Sequence, residues 1–226
     1  MLATVGFGVT GILFVLFALT IRSLAGTKLK RILDRYALAY VLVACAFIFW
    51  SIASAIGTHG ILGFSVVVGD ILLFIATLLL AGILLEGNAN RERWLYGATI
   101  VGIALLVIRT VFFYPKPYMV DQVLFFNSQR LVSFTLSAVF LFVWLPANLQ
   151  IAHLVTRKAQ SIASIYKFLY AAATLSAVIF LLSKAPLTLV LSFTAISLSF
   201  LLLIISSKYI KVIEEGHHGK QRSGTQ

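Results

Sequence analysis

Acidic residues are scarce in this chain: seven Asp and Glu stand among 226 residues, against eighteen Lys and Arg. Charge of either sign reaches only 11%, where a soluble domain carries about 25%. A single cysteine, Cys45, lies within an apolar run, so no intramolecular disulfide can form. Each shortage excludes a chemistry. An intramembrane aspartyl protease needs two carboxylates inside spans, and only Asp70 is placed in one. A retinal protein needs a lysine deep in its last span, but Lys184 and Lys208 bracket that stretch without entering it. Haem needs axial ligands, and the histidines near spans, His59 and His153, fall at opposite ends. No H-E-x-x-H, no G-x-S-x-G and no phosphate-binding glycine loop occurs. His217 and His218 form too small a pair for a metal site. Neither a catalytic residue nor a metal ligand nor a cofactor is therefore expected.

What the chain has instead is apolar length. Hydrophobic residues make up 61% and mean hydropathy is +1.03. Surface of that kind needs lipid as its solvent, and crossing a ~30 Å hydrocarbon core takes about 20 helical residues. Seven apolar stretches fit, at about 3–24, 36–58, 62–85, 95–114, 122–149, 161–183 and 186–207. The expectation is an all-α, polytopic seven-helix bundle over residues 1–213, with 214–226 a short, polar, disordered tail. No basic residue precedes the apolar residues 3–21 and the positive cluster follows them, the reverse of a cleavable signal, so the first span is read as retained.

The connections alternate in charge. Lys28, Lys30, Arg31 and Arg35 follow the first span, Arg91 and Arg93 the third, Arg157 and Lys158 the fifth, and Lys208, Lys211, Lys220 and Arg222 the seventh. The other three connections hold only Lys116 and Lys184. Cytoplasmic loops collect Lys and Arg, so the N-terminus is expected outside and the C-terminus in the cytoplasm, in a multi-pass protein of the plasma membrane. The net charge of +11 then reflects insertion topology and calls for no nucleic-acid partner. Pro186 suits a first helical turn, Pro115 and Pro117 with Tyr114 and Tyr118 suggest a stiff outer loop, and Pro146 predicts a kink.

Three ionisable residues lie well inside spans and away from their inner ends, where they are costly and face a partner or a wet cavity. Asp70, Arg109 and Arg130 all fall roughly 8–13 Å below the outer boundary at a rise of ~1.5 Å per residue. They come from consecutive helices, which are commonly neighbours, so one buried cluster is expected. Asn127, Arg130, Ser133 and Ser137 recur at helical spacing on the fifth span, and Trp50, Ser51 and Ser54 reach similar depth from the second. Asp70, Arg109, Arg130, Asn127, Ser133, Trp50 and Ser54 thus form the candidate site. One reading pairs Asp70 with an arginine to fix packing. The other is a net-positive pocket, open to the outside, that takes a small anionic or polar ligand in guanidinium forks.

In topology and size the chain resembles the seven-helix membrane sensor regions at the N-termini of some bacterial and archaeal signalling proteins. That resemblance implies a receptor-like module in the bilayer. No kinase or cyclase region follows span seven, so its signal would go to a separate cytoplasmic or membrane protein. The alternatives are a non-catalytic subunit of a membrane complex and a small transporter. Against the transporter, no polar residues in the inner half answer the outer cluster.

Substitution separates pocket from pairing. In a pocket, Arg130→Gln abolishes anion binding, measured by calorimetry, and leaves the fold largely intact. In a packing pair, Asp70→Asn lowers stability with or without ligand.

Overall fold

The computed structural model describes residues 2–24, 29–112, 116–120, 123–127, 130–157, 159–182 and 186–223, with side chains described except at 2, 3, 59, 116–120, 123–127, 130–132, 186 and 212–223. Among them, seven helices are long and apolar enough to cross a membrane, so the chain is a multi-pass membrane protein. Helix is the natural solution, because each backbone polar group is satisfied within its own segment where no water can reach it. The helices are α1 (Leu2–Ser23), α2 (Lys30–Ile56), α3 (His59–Leu84), α4 (Arg91–Phe112), a fifth span built from α5 (Arg130–Val139) and α6 (Leu145–Val155), then α7 (Ala163–Leu182) and α8 (Pro186–Ser223). The start of α1, the α2–α3 turn and the start of α8 share one end of the bundle, here the N-terminal face. The basic connections and the end of α8 share the other, the C-terminal face.

Small residues set the closest approaches. A Cβ on Gly11 would lie 3.0 Å from Ile48 Cγ1 and 3.3 Å from the Ala44 carbonyl, and one on Gly8 would lie 3.2 Å from Ser51 Oγ. These contacts bring α1 onto α2, as small residues do between membrane helices. The α2–α3 turn is closed by Gly57, whose φ of 74° is open to glycine at no steric cost. Thr10 shares a hydrogen bond with Ser197 (2.9 Å), tying α1 to α8, whereas Ser192 and Thr194 bond carbonyls of their own helix. Around these contacts sits an aromatic core. Phe14 and Phe17 of α1 meet Tyr40 of α2 and Phe200 of α8 at ring separations of 4.6–5.9 Å, mostly edge to face, as ring quadrupoles prefer.

Three boundaries differ from those read in the sequence. Residues 123–127 belong to a strand and not to the fifth span. Strands β1 (Lys116–Val120) and β2 (Val123–Asn127) pair antiparallel with Val120 opposite Val123, and the fifth span runs from Ser133 to Val155. Val-Leu-Phe-Phe suits a strand, and a short apolar run does not distinguish strand from helix. Just upstream of Pro146, where a kink was predicted, stands a π-helical turn, Phe140–Trp144, in which the Leu145 N–H reaches back to the Phe140 carbonyl. A proline ring collides with the carbonyl four residues earlier, and the wider turn gives that carbonyl room. Finally, α8 continues to Ser223, beyond the point where the tail was expected to begin.

Trp50 constrains α3. Its indole Nε1 donates to the Ser65 carbonyl (3.0 Å), and its ring lies where a Cβ on Gly69 would stand, 2.5 Å from that position. Gly69→Val is expected to lower stability by about 1–3 kcal/mol through overpacking. Gly97→Val, with nothing within 4 Å of the new Cβ, serves as the control. Thermal unfolding in detergent followed by tryptophan emission measures both.

Candidate functional site

Asp70 and Arg109 meet. Arg109 Nε lies 2.9 Å from Asp70 Oδ2, and the two side chains are 13% and 11% exposed. Asp70 sits about 16 Å of helix from His59, deeper than the sequence suggested because α3 starts earlier than its apolar run. Arg109 sits in the last turn of α4.

The pair matters for α4 because that helix has few other attachments. Trp94, Tyr96, Val101, Val107, Val111 and Phe112 are all exposed, and Gly102 is the buried residue of α4. The described contacts that hold it run along α3 and the α3–α4 connection. At the C-terminal face Glu86 stands between Arg35 of α2 (3.2 Å) and Arg91 of α4 (3.4 Å). In the middle, the Phe74 ring occupies the space a side chain at 102 would take. Toward the N-terminal face stands the Asp70–Arg109 pair. The fourth described ion pair, Arg22 with Asp34 (3.1 Å), is well exposed and its Asp34 Oδ1 makes no hydrogen bond, so it contributes little.

Because α4 stands off the bundle, a cavity of 510 Å³ opens between it and α2, α3, the fifth span, α7 and α8. That volume is in the range of small-molecule sites. Phe47, Leu73, Phe74, Leu136, Val139 and Phe180 are typical of its walls, and Asp70 and Arg109 are the charged side chains among its lining residues. Phe140, Val143 and Trp144 of the π-helical turn form part of the wall. Phe140 and Trp144 stack at 5.0 Å, and Trp144 Nε1 donates to Thr77 Oγ1 of α3 (2.9 Å).

The candidate residues therefore separate. Asp70, Arg109 and Trp50 share the cavity wall. Ser54 does not: it bonds Thr4 of α1 (2.9 Å), and Ser51 donates to the Thr4 carbonyl (2.7 Å). Ser133 is absent from the wall, and its carbonyl accepts from Ser137 Oγ (2.8 Å). Asn127 is on β2 rather than on a helical stripe. The side chains of Asn127 and Arg130 lie outside the described residues, so the expected three-charge cluster is described as a two-charge pair.

A second polar group, unread in the sequence, lies toward the C-terminal face. Asn148 Oδ1 accepts from Tyr36 (2.8 Å) and Tyr40 (3.0 Å), and Asn148 Nδ2 donates to Thr174 Oγ1 (3.3 Å). Tyr166 shares a hydrogen bond with Ser207 (2.6 Å), while the Tyr170 hydroxyl is buried with no partner. The half of the bundle that was expected to lack polar residues thus holds a buried network, and Tyr40, Asn148 and Thr174 reach the cavity. The signal was present: Tyr36 with Tyr40 and Tyr166 with Tyr170 are each four apart, on one helical face, and Asn148 interrupts an apolar span. Among the described residues no group of three or more potential metal ligands occurs.

No family model matches this sequence, and no curated protein matches it. The functional reading rests on the chain's own geometry.

Removing one partner of a buried pair costs about 3–5 kcal/mol, much of it from the charge left behind. Arg109→Gln is expected to speed hydrogen exchange across α4 in nanodiscs and leave α1, α2 and α8 unchanged. Adding Asp70→Asn should recover most of the protection.

Proposed function

We propose that this protein is a membrane sensor or receptor-like module of the plasma membrane, with its N-terminus outside, its C-terminus in the cytoplasm and its ligand in the interhelical cavity. The observation that carries this reading is the composition of the cavity wall. One side is α4, held in the described residues by contacts along α3 and the α3–α4 connection; another is the π-helical turn of the fifth span. Turns of that kind are frequent at functional sites, and the extra residue can be taken up or released along the helix. A ligand that packs better against one arrangement of Phe140 and Trp144 shifts the population toward it. The shift travels down α6 to the basic face, where a separate protein partner reads it.

The character of the cavity widens the ligand class expected from the sequence. Among the described residues Asp70 pairs with Arg109 and the wall around them is apolar, which supports an uncharged ligand beside the small anion read from the sequence. The orientation rests on the basic connections: Arg22, Lys30, Arg31, Arg35, Arg91, Arg93 and Arg157 all lie at the C-terminal face, together with only three described acids, Asp34, Glu86 and Glu92.

Native mass spectrometry of the tagged chain, gently purified from its own cells, tests this function alongside an Ala177→Phe variant that fills the cavity. The expected result is a bound small molecule and a stoichiometric cytoplasmic partner, with the molecule lost from the variant. A stoichiometric membrane enzyme or carrier in place of the cytoplasmic partner would identify a subunit and overturn the sensor reading. Uptake of the bound molecule into sealed vesicles would do the same in favour of a transporter.

A further inference from the structure

Resting on the cavity as the ligand site, we infer that its ligand is an uncharged single-chain amphipath drawn sideways from the bilayer, with a hydroxyl head seated on the Asp70–Arg109 pair. The way in follows from α4. Val101, Leu105 and Ile108 line the cavity and are also 59%, 49% and 44% exposed. Across from them Thr135 of α5 lines the cavity and is exposed as well. The opening between α4 and α5 lies within two spanning segments, so it faces acyl chains rather than water. A molecule already dissolved in the bilayer reaches it without crossing a polar barrier.

Charge then selects the head. Asp70 and Arg109 stand 2.9 Å apart and cancel, while the remaining wall, among the described residues, is almost wholly apolar. A carboxylate or ammonium head would bring an unbalanced charge into these surroundings, which is heavily penalised. A hydroxyl brings none and can use both partners: its oxygen accepts from the guanidinium, and its hydrogen is donated to the carboxylate. At the far end Asn148 Oδ1 already accepts from Tyr36 and Tyr40, so that end offers the chain an apolar floor of Phe140, Trp144 and Phe200.

The test uses the full chain in nanodiscs, as a Trp94→Phe variant whose remaining tryptophans, Trp50 and Trp144, both stand on the cavity wall. Chain-brominated hexadecanol, hexadecanoic acid and hexadecylamine are titrated, and quenching of emission is read. The alcohol is expected to quench at about ten-fold lower concentration than either charged analogue, and Ala177→Phe should remove the difference. Asp70→Asn leaves Arg109 unbalanced and should turn the preference toward the acid. If the acid or amine binds better to the parent chain, or all three quench alike, the inference is overturned. Should Ala177→Phe fail to fold, the reversal by Asp70→Asn still decides. Selective quenching with no change in cytoplasmic partner binding would sink the sensor reading and keep this one. Partner binding without selective quenching would do the opposite.

Discussion

The ion pair between Asp70 and Arg109 is the contact on which the shape of the outlying half of this molecule depends. Helix α4 is apolar on every side and largely exposed, so burial cannot say where it should sit. In lipid, apolar contacts between helices give little net drive, since acyl chains solvate leucine as well as a neighbouring helix does. Two opposite charges in that medium are different: neither has an alternative partner in hydrocarbon, and each fixes the other. The pair therefore holds the far end of α4, with Phe74 against Gly102 and Arg91 near Glu86 marking the remainder of the contact line. Because these contacts lie along α3 and the connection that follows it, α4 is held along one edge, and the space on its other side is the cavity.

The rest of the bundle is organised by the opposite logic. α1, α2 and α8 close on one another through glycines, shared hydroxyl hydrogen bonds and a continuous set of edge-to-face rings. Toward the C-terminal face, Tyr36, Tyr40, Asn148 and Thr174 lock α2, α6 and α7 with hydrogen bonds that no water competes for. A tightly packed half thus faces a loosely attached helix across the cavity, and the π-helical turn lies on that boundary. On the proposed function, the tight half transmits and the loose edge admits.

Several of these features were legible before any coordinates. Asp70 and Arg109 stood out because ionisable residues inside spans demand partners, and they are each other's. Other features were not legible. Ser54 was grouped with Asp70 by depth, yet depth carries no information about the angle around α2, and Ser54 turns toward Thr4. Residues 123–127 read as helix because an apolar run of that length has no period of its own. The tyrosines of α2 and α7 did show helical spacing, but without Asn148 between them they are indistinguishable from ordinary interfacial rings.

Sequence by itself determined the solvent, the number of crossings and the alternation of basic connections, because these follow from transfer free energies added residue by residue along the chain. Tertiary structure alone decided which faces meet. It paired Asp70 with Arg109, moved two serines to another interface and joined residues 36, 40, 148 and 174 into one network. It also left α4 standing apart, so that Asp70 and Arg109 share the wall of a cavity whose other described lining is largely apolar. Rotation of each helix about its own axis causes that difference. Rotation is set by packing and hydrogen bonding among several helices at once, and hydropathy, which sums over all sides of a helix, is blind to it.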